Sequence, residues 1–527
     1  MTDRVLHQRL RESLGNDGLV VDPELRADYS EDIAGGGAVA AAVARPQTVE
    51  ALRQIVAIAA ELGYALLPRG GGHSYSAGFV PVSSRSVVVD LANLDRVLEI
   101  DPIDRFVRVE AGCTWATLLD ALAPYGLRTP FFGPLSGYRA TIGGALSQGA
   151  TFFGAAMHGF SERSVLGLTV VLANGDALRT GVGSDGRPHP RPSGPNLSAL
   201  FLSDCGALGI KAEVTLRVVN RPPTERFASF SFADMPSMLR AQTALVDHDG
   251  VAECFGFDPQ AHANLARGGF DVLEGAQIVA DVARQEGSLR TRLSRLAQLV
   301  RDGRHSVADL RYSLHFCVEG ENEPLAMYRL ADASAVALDA GGEPVPDTIP
   351  RVTRSRPFRP IKALLGPDGE RWLPLHGVFR ISDAERGYRG LADVLHKCEE
   401  KRTSHGLKVS LLTVTSGEAI IIEAHLFWPD SLGRFHRRHV TEAQRQRYGA
   451  EPARPEARAF AHALRADLSK ALRGAGAEHL QIGRYYPYEE NLDPVHRKLV
   501  QGLKFMLDPA DILAPNVLVT ENRFSHE

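Results

Sequence analysis

Three glycine-rich segments within the first 220 residues constrain the fold of this chain more than any other feature of its sequence. They are residues 69–74, 141–149 and 206–210, and each opens or closes an apolar, strand-like stretch. Glycines let backbone amides approach a bound anion and allow positive φ angles, so such segments suit a pyrophosphate. One segment alone is equally typical of a tight turn or a packed helix start. Three in succession favour a ligand-binding domain.

The first segment reads Arg-Gly-Gly-Gly-His-Ser, and it departs from the dinucleotide-binding fingerprint. That fingerprint, Gly-x-Gly-x-x-Gly, requires a third glycine three positions after Gly72, where this chain has Tyr75. The sequence therefore does not predict the Rossmann type of nucleotide site.

Hydrophobic periodicity predicts short, alternating helices and strands around these segments, which is the pattern of an α+β fold. Thr48 and Gly63 are typical residues for the start and the end of an amphipathic helix, and Asn174-Gly175 is a strong hairpin signal. The predicted elements are helices at 48–63 and 114–126 and strands at 65–67, 86–91, 105–110, 168–173, 176–180 and 210–219.

The predicted helices become longer after residue 220, and this change predicts a second domain. Longer helices are predicted at 288–301 and 391–405, and two strands at 408–414 and 419–427. The last fifty residues return to a compact α+β pattern. We therefore expect a first domain at 1–220, a second at 221–476, and a C-terminal segment, 477–527, that rejoins the first.

Composition bounds the class of protein and its partners. A length of 527 residues suggests two domains, and 44% hydrophobic with 23% charged residues is typical of a folded protein. The net charge of −4 gives no reason to expect nucleic acid or an anionic membrane as a partner. Five scattered cysteines without a Cys-x-x-Cys pair indicate neither a disulfide framework nor a zinc site. The charged N-terminus lacks a signal peptide's apolar run, and a cytoplasmic location is expected.

The three glycine-rich segments, in this order, resemble the FAD-binding domain of the vanillyl-alcohol oxidase and p-cresol methylhydroxylase superfamily. Residues 170–180 and 507–516 are similar to the superfamily's intervening strand pair and closing segment, and the resemblance is looser at 372–382 and 410–429. It implies an FAD-binding domain of two small α+β subdomains and an α+β cap built on an antiparallel sheet. It also implies an oxidoreductase in which hydride passes from a substrate C–H bond to flavin N5 and then, as electrons, to oxygen or another acceptor.

The resemblance also implies a set of cofactor-binding residues. They are Arg69, Gly70, Gly71, Gly72, His73, Ser74, Pro134, Ser136, Thr141, Gly143, Gly144, Ser147, Gly149, Gly206, Gly209, Ile210 and Asn516. In relatives with a Gly-Gly-His-Ser pattern, the histidine is bonded to the flavin 8α-methyl carbon, which predicts a covalent link at His73. The alternative is a histidine that only closes the loop or contacts a phosphate. No cysteine lies in 133–138, so a second covalent bond is not expected.

Candidate catalytic residues lie in two other regions. Arg484, Tyr485 and Tyr486 could bind a phenolate or a carboxylate, and an ordinary strand end with an ion pair is the alternative. His376 lies on a strand that could face the flavin, and Glu423 and His425 alternate on one strand face, as a catalytic or a structural pair. The cluster at 436–439 is more typical of a solvated helix face than of a metal site, and no metal is predicted.

Two other functions stay open beside the oxidoreductase. One branch of the superfamily, the alkylglycerone-phosphate synthases, uses FAD without net redox change, although its histidine-rich C-terminal signature is absent here. A flavin-binding protein without turnover is the second alternative. The sequence predicts a small-molecule substrate, an alcohol, a hydroxyacid or a 4-alkylphenol, without selecting one. It also leaves open the electron acceptor and whether the chain forms a homo-oligomer.

Overall fold

The chain folds into two compact units. The computed structural model describes residues 2–191, 193–267, 310–355, 357–358 and 364–520. The first unit comprises Met1–Ala150, Phe160–Asn220 and Leu480–Glu527, and the second comprises Thr151–Gly159 and Arg221–His479. The nine residues from Thr151 to Gly159, which the sequence placed in the first domain, thus belong to the second unit. The C-terminal segment rejoins the first unit at residue 480 rather than 477.

The first unit is built on two sheets with helices around them. The strands of the four-stranded sheet are, in spatial order, Leu19–Val20, Ala42–Ala44, Ser86–Asp90 and Ala65–Arg69. The five-stranded sheet is antiparallel, and its strands are, in order, Ala177–Arg179, Val165–Val171, Ile210–Arg217, Phe106–Glu110 and Val97–Asp101. Two-stranded pairs join Glu31–Asp32 with Gly35–Gly36 and Leu127–Arg128 with Val219–Asn220. The α-helices are Thr2–Leu14, Pro23–Tyr29, Val49–Leu62, Trp115–Leu122, Ile142–Gln148 and Pro494–Leu507.

Local signals place the helix Val49–Leu62 as the sequence predicted. The Thr48 side chain accepts a hydrogen bond from the Ala51 amide at 3.1 Å, and Gly63 ends the helix at a φ of +68°. The helix buries Leu52, Ile55, Val56, Ile58 and Ala59 in the main core of the first unit. Each large aliphatic side chain stabilises the fold by about 1.5–3 kcal/mol through burial. The predicted hairpin at Asn174-Gly175 is also present, with Gly175 at a φ of +83°.

The second unit is a seven-stranded antiparallel sheet with helices. Its strands are, in spatial order, Glu343–Val345, Thr224–Phe232, Tyr312–Gly320, Val251–Phe257, Lys408–Ser416, Ala419–Trp428 and Arg371–Arg380. The α-helices are Ala155–His158, Met235–Ala244, Pro259–Arg267, Glu323–Asp339, Thr348–Ser355, Ala384–Lys397, Glu399–Ser404, Arg434–His439, Glu442–Tyr448 and Pro455–Gly474. Both the predicted α+β class and the antiparallel sheet are confirmed.

Strand alternation gives this sheet two different faces. One face is apolar, with residues such as Leu375, Ile422 and Leu426, and the helices Ala384–Lys397 and Pro455–Gly474 pack on these strands. The opposite face carries titratable side chains, among them three of the predicted catalytic candidates, His376, Glu423 and His425.

One predicted helix of the second domain is divided in the structure. The one expected at 391–405 is two helices, Ala384–Lys397 and Glu399–Ser404, because the backbone leaves the helical region at Cys398. The one expected at 288–301 lies outside the described residues. No helix of the described part is long and apolar enough to cross a lipid bilayer.

Candidate functional site

The first glycine-rich segment packs directly against the second. A Cβ atom at Gly70 would lie 2.3 Å from Thr141 Oγ1, and one at Gly71 would lie 2.1 Å from the Arg139 carbonyl oxygen. Gly72 has a φ of +74°, a conformation that favours glycine. Larger residues at these positions would push the two segments apart.

Within the described part of the chain, no backbone hydrogen bond is donated by Gly70, Gly71 or Gly72. Arg69 ends the preceding strand, is buried, and places its guanidinium 4.7 Å from the centre of the Tyr29 ring. Successive amides beside a cation form an anion-binding concavity, as a pyrophosphate requires.

The loop residues that follow are anchored on both sides. His73 is half-buried. The Ser74 carbonyl accepts a hydrogen bond from the Ile33 amide at 3.1 Å, and its hydroxyl lies 3.0 Å from the Ser76 hydroxyl. Asp32, which the sequence did not single out, accepts from the Ala77 amide at 2.7 Å. These contacts fix the backbone on which the His73 imidazole is carried.

In the second segment, the predicted hydroxyl groups form bonds within their own helix. Thr141 caps the helix Ile142–Gln148, accepting from the Gly144 amide at 3.2 Å, and Ser147 donates to the Gly143 carbonyl at 2.8 Å. The carbonyls of Pro134 and Ser136 close the turns that lead into this helix. Gly149 ends it, where a Cβ atom would lie 2.5 Å from the Leu480 carbonyl.

The third segment depends on a carboxylate that the sequence analysis missed. Buried Asp204 accepts from the amides of Gly206 and Leu208 at 2.9 and 3.2 Å, and its carboxylate lies 2.6 Å from Lys211 Nζ. A Cβ atom at Gly209 would lie 2.3 Å from Val170, so this glycine lets two strands approach. Ile210 starts the strand and is fully buried. The amide of Gly206, a predicted cofactor-binding residue, thus already donates its hydrogen bond to Asp204.

The C-terminal segment pairs with the first sheet next to the loop. The Leu66 amide donates to the Ile512 carbonyl at 2.6 Å, and the Ala514 amide donates to the Leu66 carbonyl at 2.8 Å. Asn516 is exposed and has a φ of +59°. The predicted return of this segment to the glycine-rich unit is therefore present.

Arg484 uses its guanidinium to hold backbone segments together. It donates to the Val80 carbonyl and, at 3.4 Å, to the Pro515 carbonyl, while burial lowers the pKa of the group. The rings of Tyr485 and Tyr486 stack edge to face with centres 4.9 Å apart, and Tyr486 is buried. The three residues are adjacent in the first unit, but the guanidinium already has carbonyl partners.

The other three candidates meet on the titratable face of the second unit. His376 lies directly opposite Glu423 on the neighbouring strand, and the Glu423 carboxylate lies 3.5 Å from His425 Nε2. Desolvation lowers the pKa of buried His376 to about 3, so this imidazole is neutral at physiological pH. His479 Nδ1 lies 3.1 Å from the His376 carbonyl oxygen. The prediction that Glu423 and His425 lie on one strand face agrees with this register, which also brings His376 to that face.

A row of buried polar side chains continues on the same face, and the sequence analysis did not find it. Ser229 Oγ lies 2.8 Å from His315 Nδ1, His315 Nε2 lies 2.7 Å from Ser313 Oγ, and Ser313 Oγ lies 2.8 Å from His262 Nε2. Burial lowers the pKa of His262 to about 4 and that of His315 well below its ordinary value. The alternation of Ser313 and His315 in a strand was the available signal.

The expectation of a solvated helix face at 436–439 is wrong for one of its histidines. His436 is fully buried beside Phe435 because the short helix Arg434–His439 turns both side chains inward. Burial lowers the pKa of His436 to about 2. His439 Nδ1 contacts the Phe435 carbonyl oxygen at 2.8 Å. Among the residues that the structure describes, no group of three or more potential metal ligands occurs.

Comparisons with known proteins support the cofactor and the fold. Residues 40–181 match a family described as the FAD binding domain. The mitochondrial D-lactate dehydrogenase [cytochrome] 1 of Saccharomyces cerevisiae is 31% identical over 36% of this chain and 31% of its own length. The chain thus spans about a third of that relative. The predicted FAD-binding domain is confirmed.

Two solved structures share the fold along nearly the whole chain. The structure of p-cresol methylhydroxylase with substrate bound has a TM-score of 0.74 and 18% identity, covering 98% of this chain and 96% of its own. The structure of an alkyldihydroxyacetonephosphate synthase has a TM-score of 0.66 and 14% identity, covering 97% of this chain and 85% of its own. A dehydrogenase, a methylhydroxylase and a synthase are therefore all similar to this chain, so the likeness alone does not select the reaction.

Proposed function

We propose that the chain is an FAD-dependent oxidoreductase of the vanillyl-alcohol oxidase and p-cresol methylhydroxylase superfamily, which its fold and its FAD-binding domain support. Its substrate would be a small alcohol, hydroxyacid or 4-alkylphenol that loses hydride from a C–H bond. The observation that carries the proposal is the loop Gly70–Gly72, closed against the Thr141 helix with its amides not used by the backbone.

The residues of this loop fit a pyrophosphate-containing cofactor. Three consecutive amides beside the Arg69 side chain can donate to phosphate oxygens. The space that Cβ atoms at Gly70 and Gly71 would need is occupied by Thr141 and the Arg139 carbonyl. The loop can therefore hold its shape only with glycines.

The titratable face of the second unit would handle the substrate's proton. When bound, the flavin supplies the hydride-accepting centre, so the protein has to orient the substrate and take up a proton. Glu423, 3.5 Å from His425, could accept the proton of a hydroxyl group. Neutral His376 could hold a hydrogen bond to the same oxygen without adding charge, since its pKa is lowered to about 3.

We further propose that His73 is bonded to the 8α carbon of the flavin. Forming this bond removes one proton from the imidazole and one from the methyl group, and the two electrons released reduce the flavin ring. Oxygen, or another electron acceptor, then takes up these electrons. The half-buried position of His73, on a backbone fixed at Ser74 and Ala77, supports this role.

For the substrate, we favour an uncharged alcohol or a 4-alkylphenol over a carboxylate bound at Arg484. The guanidinium of Arg484 donates to the Val80 and Pro515 carbonyls, which leaves it a poor partner for a carboxylate. A hydroxyacid remains the second candidate because of the D-lactate dehydrogenase relative.

The test combines a spectrum with a substrate panel. Flavin absorbance that stays with acid-precipitated wild-type protein, and moves to the supernatant in His73→Ala, would support both FAD and the covalent bond. Anaerobic bleaching by p-cresol but not by D-lactate would support the phenol-type substrate, and the reverse would support a hydroxyacid. A flavin that no donor bleaches would favour the synthase-like or the turnover-free alternative. Protein that takes up no FAD would contradict the proposal.

A further inference from the structure

Four chain segments meet at one glutamine in the first unit. We call this the Gln148 junction, and it consists of Ser76, Gln148, Cys205 and Gly483. Ser76 Oγ donates to Gln148 Oε1 at 3.2 Å, and Gln148 Nε2 donates to Cys205 Sγ at 2.7 Å. Gln148 is the last residue of the helix that forms the second glycine-rich segment. The junction thus links that segment to the loop that carries His73.

Glycines make the close approach at the junction possible. A Cβ atom at Gly78 would lie 2.7 Å from Gln148 Nε2 and 2.8 Å from Cys205 Sγ. One at Gly483 would lie 2.1 Å from the Ser76 carbonyl oxygen. Two side-chain-free positions from separate segments therefore surround the hydrogen bonds of Gln148.

The chemistry of the junction suits an amide and not a charged side chain. Ser76 is fully buried, and burial raises the pKa of the Cys205 thiol to about 12, so the thiol stays neutral. A glutamine can accept from Ser76 with its oxygen and donate to the sulfur with its nitrogen. A carboxylate at this position would lack the donor and would place a charge beside a buried thiol.

The junction is connected to the residues next to His73. The Ser76 hydroxyl lies 3.0 Å from the Ser74 hydroxyl, and the Ser76 carbonyl accepts from the amides of Arg484 and Tyr485 at 2.8 and 3.1 Å. Ser76 is therefore held through both its side chain and its backbone. Its partner Gln148 joins this loop to the glycine-rich helix by a side-chain hydrogen bond, in addition to the packing of Gly70 against Thr141.

We propose that Gln148 is a positioning residue for His73. Through Ser76 and Ser74 it fixes the loop backbone in the conformation from which the His73 imidazole bonds the flavin. The inference rests on the proposed function, because it assumes that FAD binds here and that His73 forms the link.

The test separates reversible FAD binding from bond formation. Apoprotein prepared under riboflavin limitation is mixed with FAD, and fluorescence quenching reports binding while acid-precipitable flavin reports the bond. A loss of positioning in Gln148→Met should slow bond formation roughly 10- to 100-fold, since small misplacements of reacting groups have effects of that order. The dissociation constant of the reversible step should be nearly unchanged.

Control variants distinguish positioning from general damage. Gln54→Met makes the same replacement at a glutamine that bonds Ser13 on the surface, and it should leave the rate unchanged. Cys205→Ser keeps an acceptor for the amide and should retain most of the rate. Ser76→Ala should match Gln148→Met, and the double variant should be no slower than either, because both remove the same connection. If Gln148→Met fails to fold, Ser76→Ala tests the same connection.

Several results would overturn the inference. Equal rates in Gln148→Met, Ser76→Ala and the wild type would do so, as would weaker FAD binding that accounts for the whole loss. Wild-type protein that binds FAD reversibly and never forms an acid-stable adduct would remove the His73 bond and this inference with it, while FAD binding stands. Wild-type protein that takes up no FAD would instead contradict the proposed function itself.

Discussion

The two units bury ionisable groups in different ways. In the first unit, buried charges are held as ion pairs, such as Lys211 with Asp204 at 2.6 Å and Lys504 with Asp508 at 2.5 Å. The second unit does bury Arg354 among the carboxylates of Glu225, Glu253 and Glu319. It also contains neutral imidazoles that are buried or half-buried, and desolvation lowers the pKa of each of them. These are His262, His315, His376, His436, His462 and His479.

This difference matters for how each unit responds to its surroundings. A buried ion pair depends on both of its partners, because removing one of them leaves an unpaired charge in the interior. A buried neutral imidazole depends instead on the pH. Such an imidazole is compatible with an apolar environment while it is neutral. Protonation at low pH would place a charge in that environment and would lower the free energy of unfolding. The first unit should therefore be sensitive to mutation of its pairs, and the second to acid.

The largest expected effect is acid destabilisation of the second unit before the first. Burial lowers the pKa values of His262 and His479 to about 4, below their ordinary 6.5. Between pH 6.5 and 4 these imidazoles are protonated in the unfolded chain but not in the folded one. The free energy of unfolding therefore has its full value above pH 6.5 and decreases as the pH falls towards 4. Each of the two can contribute on the order of 3 kcal/mol.

Hydrogen exchange followed by mass spectrometry at successively lower pH would measure this directly. Peptides from strands Arg371–Arg380 and Ala419–Trp428 should lose protection before those from helix Val49–Leu62 and strand Phe106–Glu110. Simultaneous loss of protection in both units would contradict the comparison, as would earlier loss in the first.

The next effect concerns a buried pair of the first unit. Asp204→Ala removes the partner of Lys211, whose side chain is 1% exposed, and leaves an uncompensated buried ammonium group. We expect a loss of about 3–5 kcal/mol in the free energy of unfolding, measured by urea denaturation. In the matched variant Lys211→Met, Asp204 keeps its bonds to the Gly206 and Leu208 amides, so the loss should be smaller. Equal losses would show that the charge pair is not what the unit depends on.

A smaller effect is expected from a substitution at the closely packed glycines of the first unit, and it tests whether their packing supports FAD binding. In Gly71→Ala the added methyl group meets the Arg139 carbonyl at 2.1 Å, so the loop has to shift. Overpacking of this kind costs about 1–3 kcal/mol, and we expect FAD to bind roughly 10- to 100-fold more weakly. Gly502→Ala is the control, because a Cβ atom there meets nothing within 4 Å. Titration with FAD, monitored by flavin fluorescence, compares the two variants.

Local signals in the sequence predicted the parts of the fold that depend on neighbouring residues. The cap at Thr48, the left-handed Gly63 and the Asn174-Gly175 hairpin are all set within a few residues, and all three are present. The glycine-rich loops were found for the same reason. Their packing against Thr141 and Arg139 could not be read from the sequence, because about seventy residues separate the partners.

Groups whose partners are far apart along the chain could not be identified from the sequence. Gln148 and Cys205 are 57 residues apart, and Ser229 and His315 are 86 apart. Each of these residues is unremarkable in its own segment. His436 was misjudged because four polar residues at helical spacing resemble an exposed face, whereas tertiary packing turned this one inward. A single sequence does not show which residues, far apart along the chain, are buried against each other.

The smallest effect is expected at exposed ion pairs, for which the two units should not differ. Exposed ion pairs occur in both units, for example Arg187 with Asp104 at 3.2 Å in the first and Arg389 with Glu385 at 2.5 Å in the second. Water screens such pairs, so Asp104→Asn and Glu385→Gln should each change the free energy of unfolding by less than about 0.5 kcal/mol. Denaturation at low and high salt would check this. A loss above about 1 kcal/mol in one unit alone would mean that the units also differ at their surfaces, and that burial does not by itself explain their contrast.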